Sequence, residues 1–144
     1  MTDLLNDHLD FIQSQRVGRL ATADAAGSPH VIPVCFACNS ASIYIALDAK
    51  PKRVTPRQLK RIRNILENPR VALVLDRYSE DWSELAYVMI RGEATLVEPE
   101  DDEHTVAIHL LRDRYPQYRA MPIHKQPVIT IRPTSVVGWG SQTS

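Results

Sequence analysis

Seven basic side chains fall within the fourteen positions from Lys50 to Arg63: Lys50, Lys52, Arg53, Arg57, Lys60, Arg61 and Arg63. The chemistry open to such a cluster is anion binding. The run Ser42 to Asp48 reads as a strand that delivers the chain into Lys50, Lys52 and Arg53. Thr55-Pro56-Arg57-Gln58 then places a hydroxyl at N-cap, proline at N1 and Gln at N3, which predicts a helix beginning at Pro56. Arg57, Lys60 and Arg61 fall on its first turns, where the positive helix end and cationic side chains together hold a phosphate without a glycine loop. The chain has neither a GxGxxG nor a GxxxxGK[ST] loop. Seven cations exceed what one phosphate monoester needs, and the surplus points to a longer anionic ligand.

Other chemistries find less support. Cys35-Phe36-Ala37-Cys38 has the spacing of a metal or redox pair, but it lies in a predicted strand, where residues three apart face opposite sides. The thiols are expected to be structural. His8, His30, His104, His109 and His124 form no HExxH, and no serine or cysteine sits in a nucleophile elbow. Hence no metal ligand and no catalytic side chain is assigned. Formal net charge is zero, which argues against a dedicated nucleic-acid binder. The zero conceals a separation. Residues 48 to 70 hold eight basic side chains against Asp48 and Glu67, while 76 to 103 hold ten acids against Arg77 and Arg91. A solvated face and a nucleic-acid patch are the competing readings of the basic run. The tyrosines and tryptophans are not interleaved with it, which weakens the stacking expected of a single-strand binder.

The elements that must position this cluster are mostly strands. Residues 17–24 and 30–37 are β-branched or small and flank the turn Ala25-Ala26-Gly27-Ser28, which predicts a hairpin. Ile43, Ile45 and Leu47 alternate with Tyr44 and Ala46 in a third strand. The helix from Pro56 is expected to bury Leu59, Ile62, Ile65 and Leu66, to turn Arg57, Lys60, Arg61 and Asn64 away, and to stop at Asn68-Pro69. Further strands are predicted over 71–75, 85–97, 128–132 and 135–139, with Gly92 as a bulge or point of close approach. Short helices are expected from Thr2 to Gln15 and, opened by the acids at 98–103, to about Arg114. The expected fold is mainly β, a closed or split antiparallel barrel with flanking helices.

At 144 residues, with 44% hydrophobic and 24% charged content, the chain is expected to fold as one domain over 1–144. Two cysteines make no disulfide framework and fit a reducing compartment, so a cytoplasmic location is expected. Acids occupy the N-terminus where a signal peptide carries positive charge, and no apolar run approaches the ~20 residues of a membrane span.

Taken together, RVGRLATADAAGSPHVIPVCF, IYIALDAKPKR, LKRIRNILENPRVALVLD and YVMIRGEATLVE resemble, in order and spacing, the pyridoxamine 5'-phosphate oxidase-like split-barrel superfamily. DAKPKR, LKRIRNILENPRV and the YSEDW loop are similar to its branch of probable coenzyme F420-dependent oxidoreductases. The resemblance implies a homodimer of split β-barrels that holds a flavin or deazaflavin in a groove at the dimer interface. It implies that Lys60 and Arg61 hold the cofactor phosphate, that Asn64 faces the same way, and that Pro33, Val34 and Cys35 run beside the ring. Tyr87 and Trp139 would approach the ring from the partner subunit, and His30 lies next to the ring strand. The extended C-terminal substrate region of true pyridoxamine phosphate oxidases is not matched, so vitamin B6 oxidation is not expected.

The leading expectation is F420-dependent hydride transfer to a small unsaturated or quinone-like acceptor, with Lys50, Lys52 and Arg53 meeting the anionic tail of the cofactor. The alternatives are an FMN-dependent flavin reductase or oxidase on the same fold, and a non-enzymatic binder of a flavin or tetrapyrrole.

Overall fold

The computed structural model describes residues 4–47 and 59–141. The strands are β1 (Gly18–Ala23), β2 (Pro29–Val34), β3 (Ala37–Cys38), β4 (Ile43–Ala46), β5 (Arg70–Arg77), β6 (Ala86–Val97) and β7 (Val128–Gly140). Three α-helices flank them: α1 (Leu9–Ser14), α2 (Lys60–Glu67) and α3 (Asp102–Arg114). All pairings are antiparallel, in the order β2-β1-β5-β6-β7-β4-β3. The expected mainly-β architecture is therefore the one observed, as a seven-stranded sheet curled into a half-barrel.

The curl follows from connectivity. The two edge strands, β2 and β3, are consecutive in the chain and joined by Cys35 and Phe36 alone. Val34 and Ala37 can therefore lie no more than about 11 Å apart. A sheet whose outermost strands are so tethered must bend until its edges meet, and the line where they meet is the seam of the barrel. This break replaces the single strand expected over 30–37. The apolar run is continuous through it, so composition gave no sign of a change of direction.

The concave face is filled in the manner of a half-buried sheet. Along β6, Ala86, Val88, Ile90 and Ala94 are buried, while Tyr87, Arg91, Glu93 and Thr95 are exposed. Leu20, Leu73, Leu75, Ile129 and Ile131 join them with Phe36 and Ile62 in the main core. Each such side chain contributes about 1.5–3 kcal/mol on leaving water. A second cluster packs Ala107, Ile108 and Leu111 of α3 against Tyr44, Ala46 and Val128.

Gly92 is a point of close approach as expected, since a Cβ there would collide with the Arg132 carbonyl oxygen. The register shifts at Arg91/Gly92 opposite Pro133, so the proline falls where the ladder is already irregular. One strand consequently runs from 128 to 140 where two were expected. At the β1–β2 turn, Asp24 accepts the Ala26 and Ser28 N–H groups, and Gly27 takes φ +83°, the left-handed backbone that favours glycine.

Helix α2 differs from its expected orientation. Ile62, Asn64 and Ile65 are buried and Leu66 is 58% exposed, so the helix is rotated to bring Asn64 inward and Leu66 outward. The reason lies on β1. The Asn64 side-chain amide donates to Thr22 Oγ1 at 3.0 Å, and a buried polar pair outweighs the simple apolar stripe. The expected start at Pro56 and its Thr55 cap lie outside the described residues. Among the described residues no helix is long and apolar enough to cross a membrane.

Candidate functional site

The barrel seam carries a cleft of about 180 Å³. Edge strand β2 supplies one wall through Ile32, Pro33 and Val34, continued by Cys35. Ile45 and Ala46 of β4 form the facing wall, Arg61 enters from α2, and Tyr118 closes the side nearest α3. The cleft thus pairs a slot lined mostly by residues with apolar side chains, whose accessible surface is nonetheless more polar than apolar, with one guanidinium. That combination suits a flat ring system carrying an anionic group.

Four of the residues singled out from sequence meet here: Pro33, Val34, Cys35 and Arg61. Lys60 does not line the cleft. Successive helical residues point about 100° apart, and the Lys60 ammonium lies 3.6 Å from Asp24 at the tip of the β1–β2 hairpin. Asn64 is wholly buried against Thr22. Its Oδ1 and the Nδ1 of His30 have no hydrogen-bond partner among the described residues. His30 stands directly opposite Thr22 in the β1–β2 ladder, so these groups share one end of the barrel next to α2. Tyr87 and Trp139 face each other across β6 and β7 on the exposed side of the sheet, their rings stacked at 5.8 Å and 21°. They line no part of the cleft. Lys50, Lys52, Arg53 and Arg57 lie outside the described residues.

The two cysteines part company, but through the break between β2 and β3 and not through the alternation of the one strand expected there. Cys35 lines the seam cleft, whereas Cys38 lines a separate pocket with Arg16 and Arg114. Burial pushes the Cys38 thiol above the usual range, against a weaker opposing effect of Arg114. Among the described residues no group of three His, Cys, Asp or Glu is placed to hold a metal ion.

Tyr118 and the β4 residues were not found from sequence. Tyr118 arrives through a 3-10 turn, Pro116–Ala120, that folds the chain back after α3. Nothing local to Tyr115-Pro116-Gln117-Tyr118 signals that partner. Asp24 was also missed. The Ser28 N–H, with the Ala26 N–H and Lys60, holds its carboxyl below the usual carboxylate range. A depressed carboxyl stabilises the fold above its unfolded pKa of about 4, and loses that contribution as pH falls through the lower folded value. In thermal melts, parent and Asp24→Asn should therefore differ at pH 6 and converge toward pH 2. A difference that persists undiminished at pH 2 would show that the charge is not its source.

Comparisons with known proteins agree with this architecture. A heme storage protein of Vibrio cholerae superposes with TM-score 0.73 at 17% identity, covering 93% of each chain. A flavin-adenine-dinucleotide-binding protein of Mesorhizobium loti gives 0.70 at 20% identity, covering 92% of this chain and 91% of the other. An F420 reductase gives 0.66 at 22%, covering 94% and 97%. At these identities the likeness is one of fold. In sequence, a 5a,11a-dehydrotetracycline/5a,11a-dehydrooxytetracycline reductase of Streptomyces rimosus is 32% identical over 68 residues, 47% of this chain and 45% of that protein. The match spans less than half of that relative. The family described as pyridoxamine 5'-phosphate oxidase matches residues 4–140, nearly the whole of the curled barrel and its seam, and the chain belongs to that family.

Proposed function

We propose that the protein is a coenzyme F420-dependent oxidoreductase that binds the deazaflavin at the barrel seam. The observation that carries this reading is the convergence of Arg61 with the Pro33–Cys35 edge on one cleft. When bound, such a cofactor supplies the hydride chemistry. The chain's own contribution is to bind and orient. Arg61 would meet a phosphate, the side chains of the cleft walls would cover one face of the ring, and the backbone of β2 would offer hydrogen-bonding groups along it. The acceptor is proposed to be a small unsaturated molecule. The relative named as a dehydrotetracycline reductase supports that choice of acceptor, and the F420 reductase of the same fold supports the choice of cofactor.

The preference for F420 over FMN rests on Lys50, Lys52 and Arg53, whose charges would meet the longer anionic tail. Calorimetric titration of both cofactors into the parent and into Lys50→Ala/Lys52→Ala/Arg53→Ala tests it. The Kd for F420 should rise about tenfold or more in the triple variant, as expected for lost charge-assisted contacts, while that for FMN changes little. Equal losses for both, or none for F420, would remove the argument from the anionic tail and with it the preference for F420. A holo-protein without turnover across a panel of acceptors would make it a binder rather than an enzyme.

The seam cleft is smaller than the ~300–1,000 Å³ of ordinary ligand sites, so part of the wall must come from elsewhere. We assign that part to a second copy of the chain, seated on the exposed face of the sheet. The register places Pro33, Arg19, Val74, Met89 and Val137 side by side across five strands, with Tyr87 and Trp139 one step further along. Val31, Val137 and Trp139 are 60%, 43% and 52% exposed on this face, and the half-exposed Arg19–Asp76 ion pair lies among them, a mixed apolar and polar surface of the kind an interface buries. The first member of the row, Pro33, also lines the cleft.

A further inference from the structure

The seam has a fastening that the functional reading does not use. Cys35 and Phe36 belong to neither β2 nor β3, so their backbone groups lie outside the sheet ladder. Phe36 is fully buried, and its polar backbone atoms need partners. Both are met by one side chain, 79 residues away. The Phe36 N–H donates to the Tyr115 hydroxyl at 3.1 Å, and that hydroxyl lies 2.8 Å from the Phe36 carbonyl oxygen. Arg114 Nε also donates to it at 3.1 Å, and the Arg16 carbonyl oxygen lies 2.8 Å away. A phenol has two lone pairs and one proton. The Phe36 and Arg114 N–H groups fill the lone pairs, and the proton is shared between the two carbonyl oxygens.

The surroundings hold this hydroxyl in place. Arg114 donates to the Gln13 and Gln15 carbonyl oxygens, anchoring the end of α1, and stands over the Phe36 ring at 5.0 Å. Tyr115 packs edge-on against Tyr118 at 5.6 Å, and Tyr118 lines the cleft. One face of the fastening therefore grips the residue next to Cys35, and the other touches the opposite side of the same cleft.

We propose that Tyr115 is a positioning residue for the cofactor: its hydroxyl pins the Cys35–Phe36 crossing and so fixes the width of the seam. The effect on cofactor binding rests on the function proposed above, while the pinning itself does not. Tyr115→Phe in the full chain removes the hydroxyl and keeps the ring. Site-resolved iodoacetamide labelling without cofactor then reads the seam, with hydrogen exchange at the ladder amides of Leu20 and Leu73 as the reference for global opening. Labelling at Cys35 should accelerate about tenfold, exchange at Leu20 and Leu73 should stay within about twofold, and the Kd for FMN should rise about tenfold, as the loss of buried hydrogen bonds implies. Unchanged labelling in a folded variant, or an equal acceleration of exchange at Leu20 and Leu73, would overturn the pinning. Faster labelling at Cys35 with an unchanged Kd would overturn the positioning role.

Hydrogen exchange on the parent supplies a check that needs no variant. The Phe36 amide should be protected like the ladder amides of Leu20 and Leu73, and exchange at loop rates would overturn the proposal. A parent that binds neither cofactor would sink the functional reading, whereas labelling and exchange would still decide the pinning.

Discussion

Arg61→Gln should weaken binding of FMN and F420 by about 10- to 100-fold, the value of one charge-assisted contact to phosphate. Arg61 is the one cation lining the seam cleft among the described residues. Gln keeps much of the stem and a hydrogen-bonding tip, so the packing of α2 on β1 through Ile62, Ile65 and the Asn64–Thr22 pair is retained. Thermal stability should therefore fall by only a few degrees, because one substitution away from the core costs little. Lys60→Gln provides the contrast. Its ammonium is directed at Asp24, so its loss should act on the hairpin more than on the cofactor, with a change in Kd no greater than about threefold, as for an exposed ion pair. Equal losses for the two variants would mean that both residues reach the phosphate. No loss for Arg61→Gln would remove the cleft as the cofactor site.

That contrast marks how far the sequence could be read. Strand β6 was legible because Tyr87, Arg91, Glu93 and Thr95 alternate with small or apolar residues, and the Asp24–Ser28 turn because its residues have one local solution. Helix α3 opens at Asp102, within the acidic run 98–103 expected to start it, and ends at Arg114, where its end was expected. The seam was not legible. Nothing in His30–Ala37 signals that the sheet changes edge there, since the partner that makes the break tolerable is Tyr115, distant in sequence. Residue identity also grouped Lys60 with Arg61, and helical geometry separates them. For Asn64 and Leu66, a count of apolar positions favoured the wrong helix face because it could not include the Thr22 hydroxyl waiting on β1. At the seam and at Asn64 a long-range polar contact decided the outcome, whereas for Lys60 and Arg61 the turn of the helix did.

The second large effect concerns the exposed sheet face. Val137→Asp should convert a dimer into a monomer and abolish tight cofactor binding together with it. Val137 stands opposite Met89 at one end of the five-strand row, next to Trp139, with Pro33 of the cleft at the row's other end. In an isolated chain its side chain is 43% exposed, so an aspartate there meets water and the barrel stays folded. In a dimer seated on this face the same carboxylate is buried without a partner, which costs several kcal/mol and weakens association about a hundredfold or more. Sedimentation velocity at micromolar concentration should show the parent as a dimer and the variant as a monomer of unchanged circular dichroism. Cofactor titration should fail in the variant even though Arg61 and the seam are intact, because half of the site is absent. A variant that sediments like the parent would free this face of any role in assembly. A monomeric parent that still binds cofactor tightly would mean that the seam of one chain, together with the basic segment beyond β4, is the whole site.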